Sequence, residues 1–198
     1  MKERILVTGG TGYIGSHTVV ELQNSGYDVV IVDNLSNSSA DVVDNIEKVS
    51  GIRPAFEKLD CLDLEGMDKL FTKYPGIKGI IHFAASKAVG ESVQKPLLYY
   101  RNNLVSLINL LELMPKHGVE GIIFSSSCTV YGQPDVLPVT EEAPIKKAES
   151  PYGNTKQINE EIIRDTVASG SPINAIMLRY FNPIGAHPTA LIGELPNG

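Results

Sequence analysis

The amino-acid sequence predicts an α/β fold, a doubly wound parallel sheet with helices on both faces. Short apolar segments alternate with helical periodicities through at least five units, and the fourth apolar segment is hydrophobic on both faces. Strands covered by helices on both sides read as continuous apolar runs, so this pattern is typical of a parallel sheet. A glycine-rich turn after the first strand indicates which edge of the sheet carries the functional site.

The elements follow from apolar spacing and turn residues. We expect strands at residues 5–7, 27–33, 55–59, 79–85, 121–124 and 173–178, and helices at 14–22, 40–49, 64–74 and 97–114. The last of these helices is supported by Leu104, Leu107, Ile108, Leu111 and Met114, which recur at spacings of three and four. The segment 133–149 is the one long polar connection, and loops of that length are usually functional or flexible.

Bulk properties exclude several classes of protein. The chain of 198 residues has a net charge of −6 and no basic cluster, which argues against a nucleic-acid partner. Neither a signal peptide nor an apolar run of membrane-spanning length occurs, so we expect a cytoplasmic protein without a membrane partner. Cys61, Cys128 and the four histidines show no metal-ligand spacing, and we expect no metal.

The glycine-rich turn predicts a phosphate site. Gly9, Gly12 and Gly15 separate the first apolar strand from the first helix. Such glycines permit a tight turn, a close approach of the backbone to a ligand, and a contact between helix and sheet. Backbone N–H groups at the helix N-terminus then favour an anion, and a pyrophosphate fits there. The context of strand, turn and helix predicts a Rossmann-type dinucleotide site.

An aspartate ends the second strand. Asp33 lies 18 residues after Gly15, where a carboxylate can accept hydrogen bonds from both ribose hydroxyls. The same carboxylate would repel a ribose 2′-phosphate, and residues 34–44 contain no Arg or Lys to receive one. The sequence therefore favours NAD over NADP as the cofactor.

A tyrosine and a lysine are one helical turn apart. Ser150 and Pro151 are typical of a helix start, which places Tyr152 and Lys156 on the same face. Lowering the pKa of a tyrosine from ~10 to ~7 takes roughly 4 kcal/mol. One cation ~4 Å away at an effective dielectric of ~20 supplies roughly that much. We therefore expect Lys156 to lower the pKa of Tyr152 and make it an acid–base group.

Hydroxyl groups follow the fifth apolar segment. Residues 125–127 are three serines, expected just after the strand, where a substrate oxygen would lie beside the phenol. We assign Ser127 as the catalytic serine. The alternative is a hydroxyl-rich loop that caps the following turn.

These features together resemble the extended short-chain dehydrogenase/reductase family, and specific strings resemble its UDP-glucose 4-epimerase branch along the whole chain. The strings are residues 82–85 (HFAA), 87–92 (KAVGES), 125–132 (SSSCTVYG) and 180–188 (YFNPIGAHP). The resemblance implies tightly bound NAD, a UDP-sugar substrate, and interconversion of UDP-glucose and UDP-galactose through a transient 4-keto sugar, in galactose metabolism. A homodimer of the full-length protein is a further expectation.

The resemblance also implies residue roles. Tyr152 would take the proton of the sugar 4-hydroxyl, Ser127 would hold the reacting oxygen, and Lys156 would hold the nicotinamide ribose. Residues lining the NAD site would be Gly9, Gly12, Tyr13, Ile14, Gly15, Asp33, Asn34, Asn37, Ser38, Asp60, Cys61, Phe83, Ala84, Ala85, Lys87, Asn102, Tyr152, Lys156 and Phe181. Those contacting the UDP-sugar would be Ser127, Tyr152 and Asn182.

Two rival functions share the fold. The first is a nucleotide-sugar 4,6-dehydratase, and enzymes of that group resemble one another in an Asp-Glu pair after the hydroxyl residue. In this sequence Cys128 and Thr129 follow Ser127, so the acid and base for elimination are absent. A non-catalytic NAD-binding regulator would have no need of Tyr152 with Lys156.

Members of the resembled family continue into a second lobe, which this sequence lacks. We expect residues 1–180 to form the NAD-binding domain, and 181–198 to begin the substrate lobe and end in a polar loop at 195–198. This chain should then bind NAD with little turnover.

Overall fold

The computed structural model describes residues 2–194. Within that range the strands are β1 (Arg4–Thr8), β2 (Asp28–Asp33), β3 (Ala55–Lys58), β4 (Ile77–His82), β5 (Gly121–Ser127) and β6 (Asn174–Tyr180). The helices are α1 (Tyr13–Asn24), α2 (Asp41–Ser50), α3 (Leu64–Lys73), α4 (Val89–Gln94), α5 (Pro96–Lys116) and α6 (Pro151–Ala168), with a 3-10 helix at Cys128–Tyr131. The strands form one parallel sheet in the order β3-β2-β1-β4-β5-β6.

Helices cover both faces of this sheet. Leu6 of β1 packs in a cluster with Leu107 of α5, whereas its neighbour Val7 packs in a second cluster with Val19 of α1. All four of these side chains are fully buried. Because successive strand residues point to opposite faces, the two clusters lie on opposite sides of the sheet. The predicted doubly wound, Rossmann-type fold is confirmed.

Strand ends differ from the prediction at two places. The strand predicted at 79–85 ends at His82, although the Phe83 N–H still donates to the Thr8 carbonyl at 3.0 Å. The strand predicted at 121–124 continues through the serine triplet to Ser127, which pairs with Tyr180. The serines are therefore strand residues, not loop residues, because β6 extends far enough to pair with them.

The helical region after β4 also differs from the prediction. A short helix, α4, precedes α5 and was not predicted. Ile108, expected on the buried face of α5, is 36% exposed, while Leu110 is fully buried instead. The buried face of α5 also carries Asn103 and Asn109, and their polarity obscures its apolar periodicity.

The segment after β6 folds back over the start of α1. Ile192 is buried in the cluster of α1 and β1, and Ala186 forms an isolated bridge with Gly193. The Tyr13 hydroxyl donates to the Gly185 carbonyl at 2.7 Å. The polar loop predicted at 195–198 lies outside the described residues.

The long connection predicted at 133–149 is present, and it contains neither helix nor strand. Across residues 2–194, no helix has both the length and the apolar character needed to cross a bilayer. The same range contains no group of three His, Cys, Asp or Glu side chains arranged to hold a metal ion.

Candidate active site

The predicted site residues collect at one edge of the sheet. All strands are parallel, so their carboxyl ends lie together, and the strand order changes direction between β1 and β4. In open α/β sheets the ligand crevice forms outside the carboxyl ends at such a switch point. The glycine loop and the loop after β4 flank this point.

The glycine loop packs directly against the loop after β4. Gly9 has a φ of +70°, and a Cβ there would lie 2.7 Å from the backbone nitrogen of Ala84. A Cβ on Gly15 would lie 2.2 Å from the carbonyl oxygen of Gly9. A side chain at either position would therefore displace the loop.

The N-terminus of α1 can receive an anion. Gly12 is the N-cap residue, and no side chain caps the helix. The N–H groups of Tyr13, Ile14 and Gly15 have no i−4 carbonyl within the helix, and the helix dipole adds partial positive charge. This end of α1 fits the phosphate role predicted for the glycine loop.

Asp33 is fixed beside the glycine loop. One of its carboxylate oxygens accepts from the Leu35 N–H at 2.9 Å and from the Ser38 hydroxyl at 3.1 Å. The other accepts from the Thr11 N–H at 3.3 Å. The carboxylate thus joins the glycine loop to the loop after β2, next to the helix terminus where a dinucleotide would bind. Its contact with a ribose stays a prediction.

The ends of β2 and β3 are joined by side chains predicted to line the cofactor site. The Asn34 amide donates to the Asp60 carboxylate at 3.0 Å. Cys61 follows, but its side chain packs into the core, and burial, reinforced by Asp60 and Asp33, raises the pKa of the thiol to about 12. The thiol is therefore neutral. Asn37 lies in the same loop as Asn34.

A buried asparagine that the sequence analysis missed holds the loop after β4. Asn103 Oδ1 accepts from the Ser86 N–H at 2.8 Å, and its Nδ2 donates to the Ser86 carbonyl at 3.0 Å and to the Thr155 hydroxyl at 3.1 Å. Asn102, which was predicted, donates to the Ser86 hydroxyl at 3.1 Å. The loop containing Phe83, Ala84 and Ala85 is thereby tied to α5 and α6.

Three predicted residues lie at the exposed side of the site. Lys87 is paired with Glu194 at 3.1 Å, and its side chain is 58% exposed. Phe181 is 57% exposed, and Asn182 is also exposed in the segment after β6. The contacts of Lys87 and Phe181 with NAD, and of Asn182 with the UDP-sugar, stay predictions.

The start of α6 places Tyr152 and Lys156 as predicted. The Ser150 hydroxyl accepts from the Gly153 N–H at 3.1 Å, and Pro151 is the first helical residue. The Lys156 ammonium lies 5.8 Å from the centroid of the Tyr152 ring. The N-cap and the i, i+4 spacing thus bring these two side chains together.

Lys156 is a buried cation. Its side chain is 3% exposed, its Nζ donates to the Ser125 carbonyl at 2.6 Å, and it lies 4.8 Å from the centroid of the Phe124 ring. Burial lowers its pKa to about 8. The group is mostly charged at neutral pH and loses its proton a little above it.

In this structure the pKa of Tyr152 is raised above its ordinary value. Burial raises the pKa of Tyr152, Ser127 lowers it in part through a hydrogen bond, and Cys128 raises it. The Lys156 ammonium is turned toward the Ser125 carbonyl, and its effect on the phenol of Tyr152 stays a prediction. Burial therefore favours the neutral phenol in this arrangement.

Ser127 and Tyr152 are brought together as predicted. Ser127 ends β5, is 8% exposed, and accepts from the Thr129 N–H at 3.2 Å through its hydroxyl. The same hydroxyl is in hydrogen-bond contact with Tyr152. The buried Ser127 hydroxyl and Lys156 ammonium and the half-buried Tyr152 phenol form one polar group at the carboxyl end of β5, able to bind an alcohol or carbonyl oxygen and move a proton.

Two further residues beside this group were missed by the sequence analysis. Glu160 and Arg179 form a bidentate ion pair behind it, with the carboxylate 1% exposed. The available signal was spacing, since Glu160 lies on the helical face of Lys156 one turn further on. Its partner on β6 could not be identified from spacing.

Comparison with known proteins agrees with the geometry. A model of the NAD dependent epimerase/dehydratase family matches residues 5–195. A UDP-glucose 4-epimerase of Bacillus subtilis is 53% identical over 194 residues, covering 98% of this chain and 57% of that relative. The human UDP-glucose 4-epimerase is 49% identical over 204 residues, covering 100% of this chain and 58% of that relative. The chain thus spans a little over half the length of these relatives.

Two solved structures share the fold closely. The UDP-glucose 4-epimerase of Stenotrophomonas maltophila, with bound NAD and formylated UDP-arabinopyranose, gives a TM-score of 0.95 at 48% identity, covering 99% of this chain and 58% of that one. The enzyme of Bifidobacterium longum, in complex with NAD+ and UDP, gives a TM-score of 0.95 at 48% identity, covering 98% and 58%. With its parallel sheet, glycine loop and Ser-Tyr-Lys group, the chain belongs to the NAD dependent epimerase/dehydratase family.

Proposed function

We propose that this chain binds NAD at the carboxyl edge of its sheet and carries the reacting residues for interconversion of UDP-glucose and UDP-galactose, in galactose metabolism. The observation that carries the proposal is the group formed by the buried Ser127 and Lys156 and the half-buried Tyr152, at the same edge of the sheet as an uncapped helix N-terminus. The similar epimerases, two of them described with NAD, support it.

The residues present fit NAD. A pyrophosphate would be held by the N–H groups at the start of α1, where the close contacts of Gly9 and Gly15 leave no room for a side chain. A ribose would bind the carboxylate of Asp33. NAD, when bound, supplies a hydride acceptor and donor together with the positive charge of its oxidised ring.

The chain's own residues account for the proton transfers. Tyr152 in its phenolate form accepts the proton of the sugar 4-hydroxyl and returns it to the 4-keto oxygen, while the Ser127 hydroxyl holds that oxygen. The Lys156 ammonium stabilises the phenolate when it forms and binds the nicotinamide ribose. Inversion at C4 requires the 4-keto sugar to present its other face before it is reduced again.

Nucleotide release tests this function. Denaturation of the purified chain should release NAD, identified by chromatography. Incubation of a full-length protein carrying these residues with UDP-galactose should yield UDP-glucose, whereas we expect little turnover from the 198 residues alone. Release of NADP would contradict the proposal that NAD is the cofactor. A dehydrated sugar product would indicate a 4,6-dehydratase instead of an epimerase.

The division of the chain is also a proposal. We place the end of the NAD-binding domain at 180, because β6 ends there, and assign 181–198 to the start of a substrate lobe. A cytoplasmic setting and a homodimer of the full-length protein stay predictions. The homodimer is checked by measuring the molar mass in solution, for example by light scattering.

Replacing Asp33 by alanine is expected to relax the choice of cofactor. Loss of the carboxylate removes a ribose acceptor and the repulsion of a 2′-phosphate, so the ratio of the NADP Kd to the NAD Kd should fall about tenfold. Calorimetric titration with each nucleotide measures this ratio. Asp41→Ala, which removes an exposed carboxylate from the first turn of α2, should leave it unchanged. An unchanged ratio in the Asp33 variant would show that Asp33 does not contact the ribose.

A further inference from the structure

A buried carboxylate one turn beyond Lys156 ties α6 to two strands. Glu160 is 1% exposed, and one of its oxygens accepts from the Ser126 hydroxyl at 2.6 Å and from Arg179 Nε at 2.9 Å. Its other oxygen accepts from Arg179 Nη2 at 2.7 Å. Ser126 and Arg179 are paired in the register of β5 and β6. One carboxylate therefore fixes α6 against both strands at the same level.

The strand residue that Glu160 binds lies between two members of the candidate site. Ser126 follows Ser125, whose carbonyl accepts from Lys156 at 2.6 Å, and precedes Ser127, which contacts Tyr152. Any movement of α6 along β5 would change both contacts together. The tie is thus placed where it sets the position of the reacting side chains.

The network is satisfied and charged. Burial raises the pKa of Glu160, but its bonds to Arg179 and Ser126 outweigh this and leave the pKa below the ordinary value. The Arg179 guanidinium also lies 4.7 Å from the centroid of the Tyr131 ring. A buried ion pair is a poor source of net stability because both ions must be desolvated. The network instead provides a fixed, directional contact.

We propose that Glu160 is a positioning residue that holds α6 at the level where Lys156 meets the Ser125 carbonyl and Tyr152 meets Ser127. The proposal rests on the proposed function, because it concerns the same reacting group. Glu160 acts through Lys156 and Tyr152 and is not itself in contact with the reacting atoms.

Other charged and titratable groups face this region. Arg164, 44% exposed, binds Glu160 at 2.5 Å from the next turn of α6. His82 of β4 faces Lys156, and burial together with that charge lowers the pKa of His82 to about 3, so it is neutral. Tyr99 of α5 interacts with Tyr152. Arg164 therefore offers a matched control, since it shares the carboxylate but not the tie.

The test is the pH profile of Tyr152 in the NAD-loaded chain. Phenolate absorbance is titrated for the unmodified chain and for Glu160→Gln, Ser126→Ala and Arg164→Ala, with each profile corrected by the same variant carrying Tyr152→Phe. A shift of Lys156 from ~4 Å to ~5 Å at an effective dielectric of ~20 changes the phenolate population about fourfold. We expect Glu160→Gln to reduce that population about fourfold, Ser126→Ala to reduce it less, and Arg164→Ala to leave it unchanged.

The outcomes separate the inference from the proposed function. Circular dichroism establishes which variants are folded, and if Glu160→Gln does not fold, the neutral Ser126→Ala variant decides. An unchanged profile in the folded variant overturns the positioning role, and so does an equal shift in Arg164→Ala. Failure of the unmodified chain to bind NAD would overturn the proposed function, and the inference would fall with it.

Discussion

Replacing Gly15 by alanine is expected to lower the affinity for NAD on the order of 100-fold. The added Cβ would lie 2.2 Å from the Gly9 carbonyl oxygen, so the glycine loop must move away from the start of α1. Losing two charge-assisted hydrogen bonds to a pyrophosphate, at about 1.5 kcal/mol each, accounts for a change of that size. Calorimetric titration with NAD gives the dissociation constant.

A second glycine provides the control for this substitution. Gly90 lies exposed in α4, and a Cβ there would have no atom within 4 Å. Gly90→Ala should therefore leave NAD affinity unchanged and alter stability by about 0.5 kcal/mol or less. Wild-type affinity in a folded Gly15→Ala chain would show that the pyrophosphate does not bind at this loop.

Replacing Lys156 by methionine is expected to stabilise the chain at neutral pH while weakening NAD binding. Burial lowers the pKa of Lys156 from 10.5 to about 8, so folding disfavours the ammonium by about 3 kcal/mol. The lost hydrogen bond to the Ser125 carbonyl offsets about 1 kcal/mol of that gain. The free energy of unfolding should therefore rise by about 2 kcal/mol at pH 7.

The pH dependence fixes the sign of this effect. Between pH 8 and 10.5 the unfolded chain binds a proton at Lys156 that the folded chain has released, so this group makes wild-type stability rise with pH. The advantage of the methionine variant should be full below about pH 8 and absent above about 10.5. Urea denaturation across this range measures it. Lys48→Met, at an exposed site on α2, should show no such dependence, and a pH-independent gain in Lys156→Met would contradict the buried-charge account.

Much of the fold could be predicted because it depends on local patterns. Apolar runs and turn residues were enough to place all the strands, and the glycine spacing with Asp33 indicated the carboxyl edge of the sheet as the location of the predicted site. The N-cap Ser150 and the four-residue spacing were enough to bring Tyr152 and Lys156 together. These features are set by interactions within a few residues, which the sequence shows directly.

The electrostatics of the site required the tertiary structure. The hydrogen bond from Lys156 to the Ser125 carbonyl joins residues that are 31 apart in sequence. The hydrogen bond from Asn103 to Thr155 joins residues that are 52 apart. Burial, which raises the pKa of Tyr152 and lowers that of Lys156, depends on how α6 packs against β5.

The sequence by itself therefore determined the order of the strands, the glycine loop, and the residue types at the carboxyl edge. Only the tertiary structure decided that the serine triplet is part of β5, that Glu160 ties α6 to β5 and β6, and that burial raises the pKa of Tyr152. The physical reason is that periodicity and capping act along the chain, whereas pairing, burial and charge act between segments that meet only when the chain has folded.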